Sequence, residues 1–480
     1  MSLKKIYELI NRFMPAIVGL CIILESAFFL IATPHGHIPD VWAHVYRVSG
    51  IINGDVVVKP VHARSMLQNV SSGAVGGTVD CAWLDYSLAQ YDGYDPAVAL
   101  LESLPSDACA NTSSGTVDLP YNNAGINSPV AYTPQIIGVA AGKLFGLSAS
   151  TTYRLAEIIM LAVYAVFMFL AVNALRTWRV PIGVLLCLPP IVKRASFAFS
   201  ADSFTQAVVL LFSCLLIREI LGPRGIMRHV WQLAVVGLVM AMCKFIYVPL
   251  VLLMLPLMWA SQCSGQQVMI FSRKRAVPVL GSITLCAAWI MFWLKINDWY
   301  TTTPMLVSYG QMNAHKHALL TQPTVMLDAV HDILWSILHA QANLNNASDH
   351  RGIAVCWMLI ACILLELFIA SVMQFGTRFI QANPQTAAKQ DTHVTHKSPN
   401  LLYLWVIALF CIGIILLTYL ALWLQYNPAD SLGVNGVQYR YFLPLAVLFG
   451  FVFLETAKQT QLNLFQLRPH AAITRDRAGR

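Results

Sequence analysis

Residues 13–33 read FMPAIVGLCIILESAFFLIAT, an unbroken apolar run whose single ionisable side chain is Glu25. About 20 apolar residues in a helix cross the hydrocarbon core of a bilayer, so the run is read as a transmembrane span. Lys4, Lys5 and Arg12 precede it. It exceeds the apolar core of a secretory leader and no small-residue cleavage site follows, so it is expected to stay attached. Glu25 is expected to be a buried carboxyl bonded to a neighbouring helix.

The same character extends along the chain. Of its 480 residues, 57% are hydrophobic and only 11% charged, and the mean hydropathy is +0.61. Soluble domains are about 45–50% apolar and about 25% charged. So few charges cannot cover a water-facing surface, which excludes a soluble enzyme. Disorder, collagen and coiled coil fail on the same numbers. Nine further apolar runs fall at 152–175, 180–192, 203–221, 230–243, 246–261, 277–296, 353–374, 401–424 and 441–456. The runs at 180–192, 230–243 and 246–261 are short, and paired short runs suit either spanning or re-entrant helices. The expected fold class is all-α, a polytopic transmembrane bundle of about ten spans.

The net charge of +8 does not point to nucleic acid, because the basic residues sit between apolar runs and on the tail, with no basic stripe among aromatics. With the N-terminus cytoplasmic, about 19 of the 31 Lys and Arg residues fall on inside segments, as the positive-inside rule requires. Both termini are therefore expected in the cytoplasm. This gives an N-terminus and first span over 1–33, an extracytoplasmic loop with amphipathic helices over 34–150, a bundle over 151–456 with external loops near 297–352 and 425–440, and a basic cytoplasmic tail over 457–480. The first loop is expected to hold a helix over 40–53, a Gly/Ser-rich stretch over 71–78, an acidic stretch and an apolar helix over 133–147 lying along the membrane. The segment 299–351 should hold an amphipathic helix near 324–339. Such long loops are usually functional. No internal repeat is found, which weighs against an inverted-repeat transporter.

Eight of the eleven Cys lie in or beside apolar runs and read as small buried hydrophobes. Cys81 and Cys109 share the first external loop, where a disulfide and two free thiols are both open. Phosphate-binding loops, dinucleotide fingerprints, nucleophile elbows and Cys/His metal spacings are missing. What remains is a set of charges near span ends. On a helix Asp40, His44 and Arg47 fall at i, i+4 and i+7 and share a face; an ordinary polar face is the competing reading. His35 and His37 make a weak metal pair with no third ligand. Asp202 lies where one run turns into the next, with Lys193 and Arg194 on the same outer side. Lys244 sits between two short runs. Charges at such depth are either paired internally, Asp with Lys, or functional. Arg440 stands among Tyr439, Tyr441 and Phe442, where an arginine either snorkels to headgroups or grips a phosphate with two donors.

Five motifs occur in order: Pro39-Asp40-x-x-Ala43-His44-x-Tyr46-Arg47, Ser128-Pro129-x-x-Tyr132-x-Pro134-Gln135, Ser200-Ala201-Asp202, Lys244-Phe245-x-Tyr247-x-Pro249-Leu250 and Gln438-x-Arg440-Tyr441-Phe442-x-Pro444. Together they resemble the domain of unknown function 2142 family of predicted bacterial membrane proteins, over residues 13 to 456. That family is in turn similar to the C-type (GT-C) glycosyltransferases. The family's opening Pro-Asp-Glu-x-x-His is matched by Pro39, Asp40 and His44, with Val41 replacing the Glu. Its closing Gln-Gly-Arg-Tyr is matched by Gln438, Arg440 and Tyr441, with Tyr439 replacing the Gly. The Val41 departure removes the second acid that a carboxylate pair or a divalent metal would use.

The resemblance implies a bacterial plasma-membrane protein that moves a sugar from a polyprenyl-phosphate donor to an envelope glycan or lipid acceptor at the outer membrane face. Asp40 is then the base, and Arg440, Lys244 and Arg47 are the cations for the leaving phosphate. His44 orients Asp40 or binds phosphate, Asp202 binds sugar hydroxyls, and Gln438 belongs with the substrate-binding set. The expected partners are the lipid-linked sugar, the glycan acceptor and the bilayer, with no nucleic acid, no certain cofactor and no metal ligands assigned. A lipid or polysaccharide transporter or polymerase, and a non-catalytic envelope-assembly scaffold, are the competing readings. A transporter should show deep charges and pseudo-repeats, and a scaffold should tolerate single changes at Asp40, Lys244 and Arg440.

Overall fold

A backbone inside lipid must satisfy its own polar groups, so apolar stretches of spanning length become continuous helices. The computed structural model describes residues 2–62, 74–90, 109, 115–222, 227–261, 269–301, 307–341, 347–381, 399–427 and 432–467. Among them, seven helices are long and apolar enough to cross a membrane. The protein is an all-α polytopic membrane protein.

Helix α1 (Leu3–Ala32) opens the chain. Glu25 on it is half-buried and its Oε1 atom has no hydrogen-bond partner, contrary to the expected bond to a neighbouring helix. A turn leads to α2 (Val41–Ile52), whose residues from Val41 to Gly50 are all buried. The helix is expected from sequence; its complete enclosure is not. It packs on the last two strands of an antiparallel three-stranded sheet, β1 (Lys59–Val61), β2 (Ala74–Asp80) and β3 (Thr116–Pro120), in the order β1-β2-β3. The Gly/Ser-rich stretch thus ends in the sheet's central strand. The glycines there suit close approach, since a Cβ on Gly77 would strike the Tyr121 hydroxyl. Helix α3 (Cys81–Gln90) follows β2, and α4 (Thr133–Leu144) packs on α2 and on the next long helix, α5 (Ala149–Ala174).

Cys81 and Cys109 are joined in a disulfide, with Cα atoms 5.8 Å apart and a separation of 28 positions in sequence. Closing a loop of that length stabilises a fold by about 2–4 kcal/mol. Reductant, or Cys81→Ser with Cys109→Ser, is therefore expected to lower the thermal unfolding midpoint; an unchanged midpoint would remove the bridge's stabilising role.

The run at 180–192 does not form one span. Helix α6 (Arg179–Leu186) stops, and Pro189–Val192 makes a separate turn. Pro189 and Pro190 have no N–H to continue the ladder. Helix α7 (Ala201–Leu221) is the centre of the bundle, with 89% of its apolar window buried. It packs against α5 and α8 (Met227–Cys243).

The run at 246–261 also departs from an ordinary helix. Phe245–Met258 is a 3-10 helix containing Pro249 and Pro256. Its rise of about 2.0 Å per residue makes it roughly 28 Å long, close to a bilayer's apolar thickness. Beyond it come α9 (Arg273–Ile296), α10 (Tyr309–Thr321), α11 (Pro323–Leu338), α12 (Ala347–Gln381), α13 (Leu401–Tyr426) and α14 (Ala446–Leu467). Helices α12 and α13 both pack on α14, and α13 also packs on the 3-10 helix.

Candidate functional site

Four charged side chains from distant parts of the sequence meet where α1 and α8 end and where α7 and α14 begin. Asp40 is the residue before α2 and lies in the left-handed region, with φ 63° and ψ 9°. It is therefore outside the helix, and the expected i, i+4, i+7 face does not form. Its Oδ1 accepts a hydrogen bond from Asn123 Nδ2 at 2.9 Å. Its Oδ2 accepts one from Arg440 Nη2 at 3.2 Å. A left-handed non-glycine residue is uncommon, and such outliers concentrate at functional sites.

Arg440 also reaches Asp202. Its Nε lies 3.5 Å from Asp202 Oδ2, an ionic contact without hydrogen-bond geometry. Asp202 sits in the first turn of α7, capped by Ser200, whose hydroxyl accepts from the Asp202 N–H. Its Oδ1 accepts from Lys244 Nζ at 2.7 Å. Lys244 stands at the start of the 3-10 helix. Both cations lie near the Tyr441 ring, Lys244 at 5.5 Å and Arg440 at 5.7 Å from its centroid. The order Asp40–Arg440–Asp202–Lys244 is thus an alternating chain of charges. Each side chain keeps between 25% and 32% of its surface exposed, so the chain is within reach of a solute rather than sealed in a core.

Gln438 lines the same cleft of about 690 Å³ as Arg440 and Asp202, with Lys193, Arg194 and Asp349. Two other expected site residues are not part of this chain of charges. Arg47 is completely buried. Its guanidinium donates to the carbonyls of Asp55, Val56 and Asn127 at 2.9, 2.6 and 3.3 Å. It holds the first loop together and has no free donor fork for a phosphate. His44 is buried beside the cluster, its Nδ1 2.6 Å from the Tyr132 hydroxyl. Burial lowers its pKa from 6.5 to about 4, with Arg440 and Lys244 adding to the shift and Asp202 and Asp40 opposing it. A neutral imidazole adds no positive charge for a phosphate.

That shift has a pH consequence. The folded protein keeps the imidazole neutral down to about pH 4, whereas an unfolded chain protonates it near pH 6.5. Between these values the unfolded state binds the extra proton, so stability is full above about pH 6.5 and falls as pH drops towards 4. His44→Gln is expected to flatten the thermal midpoint against pH across this window. Parallel curves for the two proteins would remove His44 as the source.

Asn123 and Tyr132 are site residues that sequence reading did not single out for a role. Tyr132 lay within a quoted motif, and an Asn in a polar loop reads as a turn former. His35 lies apart from the cluster, its Nδ1 paired with the Tyr86 hydroxyl. Among the described residues no three His, Cys, Asp or Glu side chains group as metal ligands. The donor set at the cluster does not suit a divalent cation, because a side-chain ammonium or guanidinium already faces each of its two carboxylates.

Comparison with known families places the chain. The family described as "Predicted membrane protein (DUF2142)" matches residues 23–449, and the chain belongs to it. No curated protein and no solved structure matches the chain.

Proposed function

We propose that this DUF2142 protein is a membrane glycosyltransferase that moves a sugar from a polyprenyl-phosphate donor to an envelope glycan or lipid acceptor at the outer face of the bacterial plasma membrane. One observation carries the reading. The polar cleft holding Arg440 and Asp202 shares Pro190, Lys193, Tyr439 and Leu443 with a second, apolar groove of about 1900 Å³. That groove runs between α6, α12 and α14, lined by side chains such as Leu185, Val355, Leu359 and Phe449. A charged cleft continuous with a long apolar groove suits a ligand with an anionic head and a hydrocarbon tail. Lys193 and Arg351 at the groove add cations for the head.

The chemistry follows from the cluster. Asp40 takes the proton of an acceptor hydroxyl as its oxygen bonds to the sugar's anomeric carbon. The bond from that carbon to the phosphate oxygen breaks, and its electron pair leaves with the phosphate. Arg440 and Lys244 stabilise the charge that grows there. Asp202 holds both cations in place and is available to sugar hydroxyls. Gln438 adds an amide to the cleft.

The test is transfer by the reconstituted protein, together with envelope glycans compared with and without the gene. Absence of any glycan difference and of any transfer would leave the scaffold reading. Leu359→Trp narrows the apolar groove and is expected to raise KM for a long-chain donor about tenfold with kcat little changed. A short-chain donor should be unaffected; equal effects on both would detach the groove from the lipid tail.

A further inference from the structure

A second cavity lies on the other side of the charge cluster. It measures about 1100 Å³ and is lined by Asn123, Lys244, Trp289, Trp293, Thr418 and Gln425, among others. Tyr247 and Tyr441 line both this cavity and the polar cleft. The cluster is thus a partition, with Arg440 and Asp202 facing the cleft and Lys244 facing the second cavity. Asp40 bridges the two: Arg440, on the cleft side, holds one of its oxygens, and Asn123, on the cavity side, holds the other.

The lining has a definite chemistry. Trp289 and Trp293 stack with centroids 5.7 Å apart and planes 12° apart. Trp293 is fixed by donating its indole N–H to the Ile126 carbonyl at 2.7 Å. The Asn123 amide spends its N–H on Asp40, and no donor to its carbonyl oxygen is found among the described residues. The Gln425 side chain likewise has no hydrogen bond among them. A flat aromatic platform next to unspent amides is the pairing that recognises a carbohydrate, whose C–H faces are apolar and whose rim is hydroxyl. A hydrocarbon chain would leave the amides unpaired, and burial of unpaired polar groups is unfavourable.

We infer that this second cavity binds the sugar unit of the acceptor and presents its hydroxyl to Asp40 through the partition. The role of Asp40 rests on the transfer reading above; the binding of a sugar does not. The experiment uses the full chain in lipid nanodiscs. Its tryptophan emission is titrated with the methyl glycosides of glucose, mannose and galactose, with N-acetylglucosamine, and with farnesyl phosphate. At least one sugar is expected to give a saturable change. Trp289→Ala should weaken that binding about tenfold or more, equivalent to about 1.4 kcal/mol. Trp289→Phe, which keeps a stacking ring, should restore most of it. The proposal is overturned if none of the sugars alters the emission, or if the response survives Trp289→Ala in folded protein. It is also overturned if farnesyl phosphate gives the Trp289-dependent response instead. Sugar binding that depends on Trp289, without any transfer product, would keep this cavity and discard the transferase. Transfer with an acceptor KM indifferent to Trp289 would do the reverse.

Discussion

Asp40→Asn is expected to lower transfer by about three orders of magnitude while the protein stays folded and inserted. Asparagine is the informative replacement because of the backbone. Residue 40 sits at φ 63°, a conformation that Asn adopts readily and that costs other L-residues about 1–2 kcal/mol. The amide oxygen can still accept from Asn123, so the contact at 2.9 Å survives. What is lost is a basic oxygen for the acceptor proton and one anionic partner of Arg440. An ion pair exposed to this degree contributes about 1 kcal/mol at most, so the thermal midpoint should barely move. Asp40→Ala would mix lost chemistry with backbone strain. Initial rates of transfer, read beside thermal unfolding, separate the two. Full activity in the Asn variant would remove Asp40 as the base and with it the mechanism.

The largest effect on stability is expected from Arg47→Met, about 3–5 kcal/mol. The guanidinium is fully enclosed and its three carbonyl contacts come from residues 55, 56 and 127, which lie on either side of the sheet in sequence. Methionine fills much of the volume but leaves those carbonyls dry and unpaired. The arginine also stands over the Tyr121 ring, 5.8 Å from its centroid, so packing is lost with the charge. Folded yield and denaturation midpoint are the measurements. A phosphate-binding Arg47 would behave differently: its variants would fold normally and bind donor poorly. A normally folded Arg47→Met with a raised donor KM would return this residue to the substrate site.

The contrast between Asp40 and Arg47 shows what the sequence can say. Helical spacing placed both on one face with His44, but periodicity is silent about what a face meets. Helix α2 meets neighbours on every side, so Arg47 turned inward, and Asp40 fell outside the helix altogether. The charges at 202, 244 and 440 were legible as functional candidates for a simpler reason: an ionised group near a span end must have a partner or a purpose. Their meeting point was not legible, because no local rule joins residue 40 to residue 440. Long apolar runs gave seven spanning helices their positions directly. The shorter runs misled where proline intervened, since composition counts apolar residues and takes no account of missing N–H groups. The small sheet escaped notice because its strands are short and its central one carries paired glycines, which read as a linker.

The 3-10 helix at Phe245–Met258 behaves as a ruler. Its side chains repeat every three residues, so Tyr247, Leu250 and Leu253 form one straight buried row, whereas an α-helix would wind that row around the axis. Deleting or inserting three residues would slide Lys244 by about 6 Å along the axis without rotating it. One or two residues would instead swing it away from Asp202. The depth and the bearing of this ammonium are therefore set separately, the first by how many triplets the rod contains and the second by whether the count stays a multiple of three.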